Sequence, residues 1–393
     1  MRRLGVFVPN RENAEVSPEL QEAFDRVLRS GRYLLGPELE AFEHELADYL
    51  GVRHCVGVGS GTDALILGMR AAGIGPGDEV LVPAFGAVPT AAAVVEAGAT
   101  PVFCDVSEST ACVDPAEIEA RIGPRTAAVV VVHLYGYPCD TQVLRRVCDK
   151  RGILLIEDCA QAFGARSKET SKPDGKRPAE PSGTPVGKAG HIGCFSFYPT
   201  KVLACLGDGG AVVTEDESIA EKVKLLRAHG HVGAYRHSVV ARNSRLDEFQ
   251  AAFLRVKLRR IDDWLSKRRL RAEGLRRSIA ASESADVVFQ TDAPGHAYHL
   301  LAARHPRREA LLVRLREQGF HAMVHYPLTI PEQEAFAHLS GLAGSKNGGI
   351  EEVFPRAWLW SRTEFSLPTA PQMTEEESER LAEAVVEAAS SVG

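Results

Sequence analysis

A lone lysine, Lys201, closes the apolar and aromatic run Cys194-Phe195-Ser196-Phe197-Tyr198-Pro199-Thr200, and the glycine-rich stretch Gly207-Asp208-Gly209-Gly210 follows shortly after. An amine held on a tight turn behind a buried strand is desolvated. Burial penalises its charged form, so its pKa falls and the free amine becomes a nucleophile toward a carbonyl carbon. Upstream, Ile156-Glu157-Asp158 ends a second apolar run in an acid, with Cys159-Ala160-Gln161 after it. Each piece has a plainer reading. A lysine in a glycine-rich turn is usually solvated, and an aspartate at a strand end often caps the next helix. Taken together, a lysine able to form a Schiff base and an aspartate able to keep a pyridine nitrogen protonated are what pyridoxal phosphate chemistry needs.

A third stretch supports that pairing. Gly57-Val58-Gly59-Ser60-Gly61-Thr62-Asp63-Ala64-Leu65 follows an apolar run and opens a helical pattern. Backbone N–H groups at a helix N-terminus, approached without obstruction by a Cβ, bind phosphate. A dinucleotide fingerprint is not met, because Thr62 stands where G-x-G-x-x-G needs its last glycine. A plain tight turn fits these residues equally well on their own.

The elements that must position these groups alternate. Short apolar runs at 54–58, 79–83, 100–106, 127–134 and 153–157 are separated by helical segments or turns. Near-continuous apolar strands between helices predict a mostly parallel sheet covered on both faces, with ligand chemistry at the carboxyl ends of its strands. Asp158 is predicted at one such end. Before the sheet, Ser17-Pro18-Glu19 reads as a capped helix start with Leu20, Phe24, Val27 and Leu28 as its buried stripe. Leu39, Phe42, Leu46 and Leu50 form a second stripe that Gly51 stops.

After the sheet, one long helix is expected from Ser244 or Arg245, burying Leu246, Phe249, Phe253, Val256, Ile261 and Trp264. The run Arg268-Arg269-Leu270-Arg271 is expected on a solvated face. Strands at 298–302 and 322–326, a helix near 307–318 and a last helix behind the capping box Thr374-Glu375-Glu376-Glu377 complete the chain. The expected division is a large α/β domain over residues 1–265, carrying the N-terminal segment, and a smaller α+β domain over 266–393. Residues 167–189, rich in Lys, Pro, Gly and Ser, read as an exposed loop, passive or a lid.

Composition narrows the function classes. At 393 residues, with 45% hydrophobic and 25% charged, the chain has the balance of a soluble globular protein. Its net charge of −6, with no basic block, argues against nucleic acid. No apolar run spans a bilayer, and Pro9-Asn10-Arg11 interrupts the short apolar start, so neither a membrane span nor a signal peptide is expected and cytoplasm is the default. The eight cysteines lack any C-x-x-C pair and the histidines lack H-E-x-x-H spacing, so no metal site is expected.

The motifs, in order, resemble those of one family. Gly31-Arg32-Tyr33-Leu34-Leu35-Gly36-Pro37, Ser60 to Leu65, Gly77-Asp78-Glu79-Val80, His133-Leu134-Tyr135-Gly136, Glu157-Asp158, Phe195 to Lys201, Gly207 to Ala211, Asn243 to Glu248, His325-Tyr326-Pro327 and Ser366-Leu367-Pro368 are similar to those of the DegT/DnrJ/StrS-type sugar aminotransferases. The resemblance covers nearly the whole chain and implies the fold type I architecture of pyridoxal phosphate enzymes. It implies that Lys201 carries the cofactor and shuttles a proton, and that Asp158 pairs with the pyridinium nitrogen. Gln161 would stand beside the phenolic oxygen. The backbone of Gly61, Thr62 and Asp63 and the hydroxyl of Ser196 would hold the phosphate. Asn243 would reach the same phosphate in a neighbouring subunit, which implies a homodimer with shared sites. Tyr33, His231, His325 and Tyr326 fall where the family contacts substrate, and a packed or surface role fits each as well.

The chain departs from the pattern at Ala87, where the ring that usually stacks on the cofactor is missing, and in the length of 167–189. What the resemblance implies is a transaminase that moves an amino group from glutamate or glutamine to a keto sugar, nucleotide-linked, in amino-sugar biosynthesis. The form Tyr198-Pro199-Thr200-Lys201-Val202 leans toward sugar C3. Alternatives are an aminocyclitol transaminase acting on an inosose, and a cofactor-binding regulatory protein without transamination. A dehydratase of the same fold is disfavoured by Lys201, and a dehydrogenase by the broken fingerprint.

Overall fold

The computed structural model describes residues 4–167, 183–282, 286–339 and 349–392. Seven strands form the central sheet in the spatial order His54–Val58, Gly210–Thr214, Ile192–Ser196, Leu154–Asp158, Thr126–Val132, Glu79–Pro83, Thr100–Cys104. Four of its pairings are parallel, and Gly210–Thr214 runs against both of its neighbours. The expected mostly parallel sheet is present. Its first two expected strands have the predicted bounds, and the others differ by one to two residues at an end.

Alternation across the pleat explains the apolar runs. Cys194 and Val212 join the core with Leu65 and Leu67 of the helix Gly61–Ala71. Their neighbours Phe195 and Val213 join the opposite core, with Leu39, Phe42 and Leu46 of Pro37–Leu50 and Phe253 of Glu248–Leu258. Both sheet faces are therefore dry, and every strand has to be apolar on both sides.

Several helical expectations are corrected. Ser17 does not cap its helix. Ser17–Ser30 follows the helix Pro9–Glu15 directly, and the Val16 carbonyl takes the N–H of Leu20 at 3.0 Å. Its buried stripe is Leu20, Ala23 and Val27, while Phe24 and Leu28 are exposed. The predicted long helix is two. Ser244 Oγ is occupied by the Gly59 N–H at 3.0 Å, Asp247 caps Glu248–Leu258, and a second helix, Ile261–Ala280, starts after a turn at Arg259 and Arg260. That break lets Ile261 and Trp264 enter the core independently of Phe253.

The basic run is not a solvated face either. Arg268 is buried beside Glu12, and Arg269 donates to the carbonyls of His296 and Gly164 at 3.0 and 3.1 Å.

Toward the C-terminus, Leu301–Arg304 is the middle strand of an antiparallel sheet with Glu364–Leu367 and Val288–Phe289. The strand begins three residues later than expected. The strand expected over 322–326 is absent. Phe320–His321 pairs in parallel with Leu4–Gly5, Met323 makes a single bridge to Ser366, and the chain then leaves the sheet. The helix Arg308–Glu317 agrees with expectation, and Glu375–Val392 starts at the predicted capping box: Thr374 Oγ accepts from Glu377 N–H at 3.0 Å and the Glu377 carboxylate accepts from Thr374 N–H at 3.0 Å. Of the expected loop at 167–189, residues 168–182 lie outside the described residues. Among the described residues no helix is long and apolar enough to cross a membrane.

Candidate active site

The buried rings of Phe195 and Phe197 anchor the chain on either side of Ser196. The turn then closes through Lys201 N–H to the Tyr198 carbonyl at 2.8 Å and Cys205 N–H to the Phe197 carbonyl at 2.7 Å. Lys201 is half-buried, and enough protein surrounds it to lower its pKa to about 8. Burial is the larger cause, and the charge of Asp158 pulls weakly the other way. Among the described residues its amine has no ion-pair or hydrogen-bond partner. Its lowered pKa raises the fraction of free amine near working pH, as nucleophilic attack on a carbonyl requires.

Asp158 is the last residue of Leu154–Asp158 and is buried. Its Oδ2 accepts from Thr90 Oγ1 at 2.7 Å and its Oδ1 from Ala160 N–H at 3.1 Å. Thr90 comes from the helix Val88–Ala97, whose flanking residue is Ala87. Gln161, also buried, accepts from Tyr135 N–H at 2.7 Å and donates to the Tyr326 hydroxyl at 3.0 Å. It therefore ties the strand end to the far wall of the site.

The helix Gly61–Ala71 points its N-terminus at the same place. Ser60 Oγ takes the Asp63 N–H at 3.0 Å, which leaves the N–H groups of Gly61 and Thr62 without an intrahelical acceptor. A Cβ on Gly61 would lie 2.5 Å from the Ser196 Cβ, and one on Gly210 would lie 2.3 Å from the Ser60 carbonyl oxygen. Glycine at both positions is what lets Ser196 sit directly beneath the helix start. The Asp63 side chain turns away, paired with Arg242 at 2.9 Å.

The other wall comes from the C-terminal half. His325 N–H donates to Glu364 at 2.6 Å, its Nδ1 lies 3.0 Å from Ser366 Oγ, and the Tyr135 hydroxyl donates to its carbonyl. Burial, and then the charge of Lys201, push the pKa of His325 down to about 4. Burial also raises the Tyr326 hydroxyl well above its ordinary value. His299 is buried nearby and held neutral by desolvation, with Phe7 stacked on it at 5.5 Å.

Lys201, Asp158, Gln161, Gly61, Thr62, Ser196, His325 and Tyr326 are thus linked by contact, charge or adjacency in the chain at the carboxyl edge of the sheet, with the Asp63 backbone beside them. Three predicted residues are not. Tyr33 is exposed and stacks on Phe249 at 5.7 Å. His231 lies on an exposed excursion, its ring 5.4 Å from that of His237. Asn243 is exposed and accepts from Arg245 Nε at 2.9 Å. None of the three makes a hydrogen bond or ring contact with the Lys201 cluster among the described residues.

Sequence reasoning missed Thr90, Tyr135, His299 and Glu364. Tyr135 sits inside a motif noted above and Thr90 lies three residues past Ala87, whereas nothing local marks His299 or Glu364. His133, Glu157 and Cys159 lie close enough to hold a metal, but their donor atoms are engaged. His133 Nδ1 accepts from Cys139 N–H at 3.0 Å, Nε2 meets Glu157 at 2.9 Å, and the Glu157 carboxylate also takes the N–H groups of Gly187 and Gly190. The trio is a buried hydrogen-bond network.

Residues 15–386 match the profile of the DegT/DnrJ/EryC1/StrS aminotransferase family. The chain belongs to this family. Two curated relatives illustrate its range. The dTDP-3-amino-3,4,6-trideoxy-alpha-D-glucose transaminase of Streptomyces venezuelae is 40% identical over 95% of this chain and 93% of its own. A protein of Geobacillus stearothermophilus named pleiotropic regulatory protein is 37% identical over 95% of both chains. Among solved structures, S. venezuelae DesV in complex with a ketimine intermediate superposes with a TM-score of 0.90 at 39% identity, covering 99% of each chain. The aminotransferase fold, with its mostly parallel sheet, is shared throughout. In this family member the helix N-terminus, Asp158 and Lys201 stand at the carboxyl ends of the strands, where an open α/β sheet collects its ligands.

Proposed function

We propose that this protein is a homodimeric aminotransferase that uses pyridoxal 5′-phosphate to move an amino group from L-glutamate or L-glutamine to a nucleotide-linked keto sugar, at sugar C3. The observation that carries the reading is Lys201: an amine without a partner among the described residues, its pKa lowered toward working pH, within electrostatic reach of Asp158 and at the same sheet edge as two helix N–H groups without an intrahelical acceptor.

The donor set fits the cofactor. Two free N–H groups and the Ser196 hydroxyl suit a phosphate, a buried carboxylate suits a pyridinium nitrogen, and a low-pKa amine suits an aldehyde. When bound, the cofactor supplies an electron sink for the carbanion that forms at the substrate carbon. The rest is done by the chain. Thr90 and the Ala160 N–H hold the Asp158 carboxylate in place, so it would meet a pyridinium nitrogen without reorganisation. Gln161 keeps Tyr326 and the Asp158 strand end in register. Lys201 accepts the proton at the reacting carbon and returns it, a task suited to a group whose pKa is close to working pH.

The substrate assignment is supported by the activity in the name of the S. venezuelae relative, a 3-amino-sugar transaminase. The homodimer is supported by exposed apolar side chains, Phe24, Leu28, Leu34 and Leu35 with Tyr33, of which Phe24 and Tyr33 both lie against the ring of Phe249. In a dimer Asn243, His231 and Tyr33, each turned outward here, become available to a second site.

Visible absorbance of the purified protein with pyridoxal phosphate, followed by L-glutamate, tests the reading. A visible band that moves toward the ultraviolet on adding glutamate, and returns with a dTDP-linked 3-keto sugar, is expected. Absence of any band overturns it. A band that no amino donor alters supports the second reading, a cofactor-binding regulator, which the name of the G. stearothermophilus relative favours.

A further inference from the structure

Behind His325 lies a chain of three hydrogen-bonding groups that the reaction as described does not use. Glu364 begins the strand Glu364–Leu367 and is fully buried. Its Oε2 accepts from the His325 N–H at 2.6 Å, and its Oε1 lies 2.5 Å from Ser366 Oγ. Ser366 Oγ in turn lies 3.0 Å from His325 Nδ1. The other ring nitrogen, Nε2, makes no hydrogen bond among the described residues, and the ring stands within electrostatic reach of Lys201.

A hydroxyl between two titratable groups can donate to only one of them at a time. With Glu364 ionised, Ser366 donates to Oε1 and accepts from Nδ1–H, so Nε2 is a bare acceptor. With Glu364 protonated the order reverses. Its O–H donates to Ser366, Ser366 donates to Nδ1, and the ring proton sits on Nε2. The His325 N–H is accepted by Oε2 in both states. A proton taken up at Nε2 therefore passes as one from Nδ1 to Ser366 and one from Ser366 to Glu364. The ring is neutral before and after, and the whole change of charge rests on the carboxyl group.

We propose that Glu364, acting through Ser366, sets which ring nitrogen of His325 carries its proton, and so whether His325 offers the substrate beside Lys201 a hydrogen-bond donor or an acceptor. Glu364 and Ser366 are positioning residues in this scheme. The role toward substrate rests on the aminotransferase reading; the coupling itself rests only on the three contacts.

The surroundings allow both states near neutral pH. Burial pushes Glu364 up to about 8, against the smaller pull of Ser366, the His325 N–H and Arg308. Tyr135 and Tyr326 also face it, and both are held neutral by burial. Arg304, opposite Glu364 in the ladder, is engaged by Glu108 at 3.2 Å. Around His325 stand Lys201 and His299, the latter neutral. With its own pKa lowered to about 4, the His325 ring switches tautomer in this range, not charge.

Selective 15N labelling of histidine in the cofactor-loaded protein reads the tautomer directly, since protonated and bare ring nitrogens differ in shift. The resonance is assigned by its loss in His325→Gln. The expected result is Nε2–H below about pH 8 and Nδ1–H above it. Glu364→Gln, whose amide oxygen is claimed by the His325 N–H so that its NH2 faces Ser366, should hold Nε2–H at every pH. Ser366→Ala should abolish the transition. A tautomer that does not change between about pH 6 and about pH 10 in the unmodified protein overturns the proposal, as does a transition that survives in Ser366→Ala. The glutamate-dependent change of the visible band is recorded on the same sample. Its absence, with the tautomer switch intact, would count against the aminotransferase reading alone.

Discussion

Asp158 ends a strand buried on both faces and Lys201 stands on the tight turn after its neighbour, whereas His325 and Tyr326 stand on irregular chain held by side-chain hydrogen bonds. The first region is a floor whose geometry follows from the sheet: the strand ends at Asp158, the turn follows Phe197, and the helix starts at Gly61. The second is a wall assembled from Tyr135, Gln161, Glu364 and Ser366, residues far apart in sequence. Burial acts on the two regions in opposite electrical senses. On the floor it favours the uncharged amine of Lys201, and in the wall it favours the protonated, uncharged form of Glu364. The same cause pushes both groups toward their uncharged forms, which moves their pKa values in opposite directions from the ordinary ones.

The comparison breaks most visibly if the floor loses its nucleophile. Lys201→Ala should lower the glutamate half-reaction by about 10³-fold or more, measured as the rate of loss of the visible band, because both the attachment of the cofactor and the proton transfer go with it. Asp158→Asn is the next largest. It keeps the Thr90 contact but removes the charge, and a loss of about 10² to 10³-fold in the same rate is expected. Thr90→Val, which leaves the charge and removes one of its two hydrogen bonds, should lower the rate by only about tenfold. Equal losses in the two variants would mean that position, not charge, is what Asp158 supplies.

Stability against pH sharpens the contrast in cofactor-free protein. Lys201 is lowered from 10.5 to about 8, so the unfolded chain binds the extra proton in that window and stability rises with pH across it. Glu364 is raised from 4.5 to about 8, so the folded chain binds the extra proton there and stability falls with pH across that lower window. Each contribution is on the order of a few kcal/mol. Melting temperatures of Lys201→Met and Glu364→Gln, compared with the parent protein, should flatten the upper and lower windows respectively. A parent profile that is unchanged in both variants would refute the assignment.

Gly61→Ala should give the smallest effect. The new Cβ must displace Ser196, which costs about 1–3 kcal/mol of packing strain and weakens retention of the phosphate. A titration with pyridoxal phosphate checks it, and unchanged affinity would argue that the helix N-terminus is not the phosphate cradle.

The floor was legible because its signals are local. Strand periodicity, the acid ending Ile156-Glu157-Asp158, the lysine after Phe197 and the glycines around Ser60 each say where a residue must lie relative to its own element. The wall was legible only in part. His325 and Tyr326 were singled out by family resemblance, but the strand expected over 322–326 does not form, because the pairing partner of this segment is the chain's own N-terminus at Leu4–Gly5 and ends at His321. Phe24 and Leu28 mislead for a related reason. Helical spacing says that a stripe exists, and only the packing of Ala23 against the core says which of two adjacent stripes is turned inward.

The amino-acid sequence alone therefore determined the alternating architecture, the lysine and acid at its catalytic edge, and the class of chemistry they imply. Tertiary structure alone decided that Arg268 is buried, that the helix after Asp247 breaks before Ile261, and that Glu364 and Ser366 stand behind His325. The physical reason is range. Periodicity, caps and turns are set by neighbours within a few residues, whereas the protonation of a buried group depends on whatever distant residues close over it.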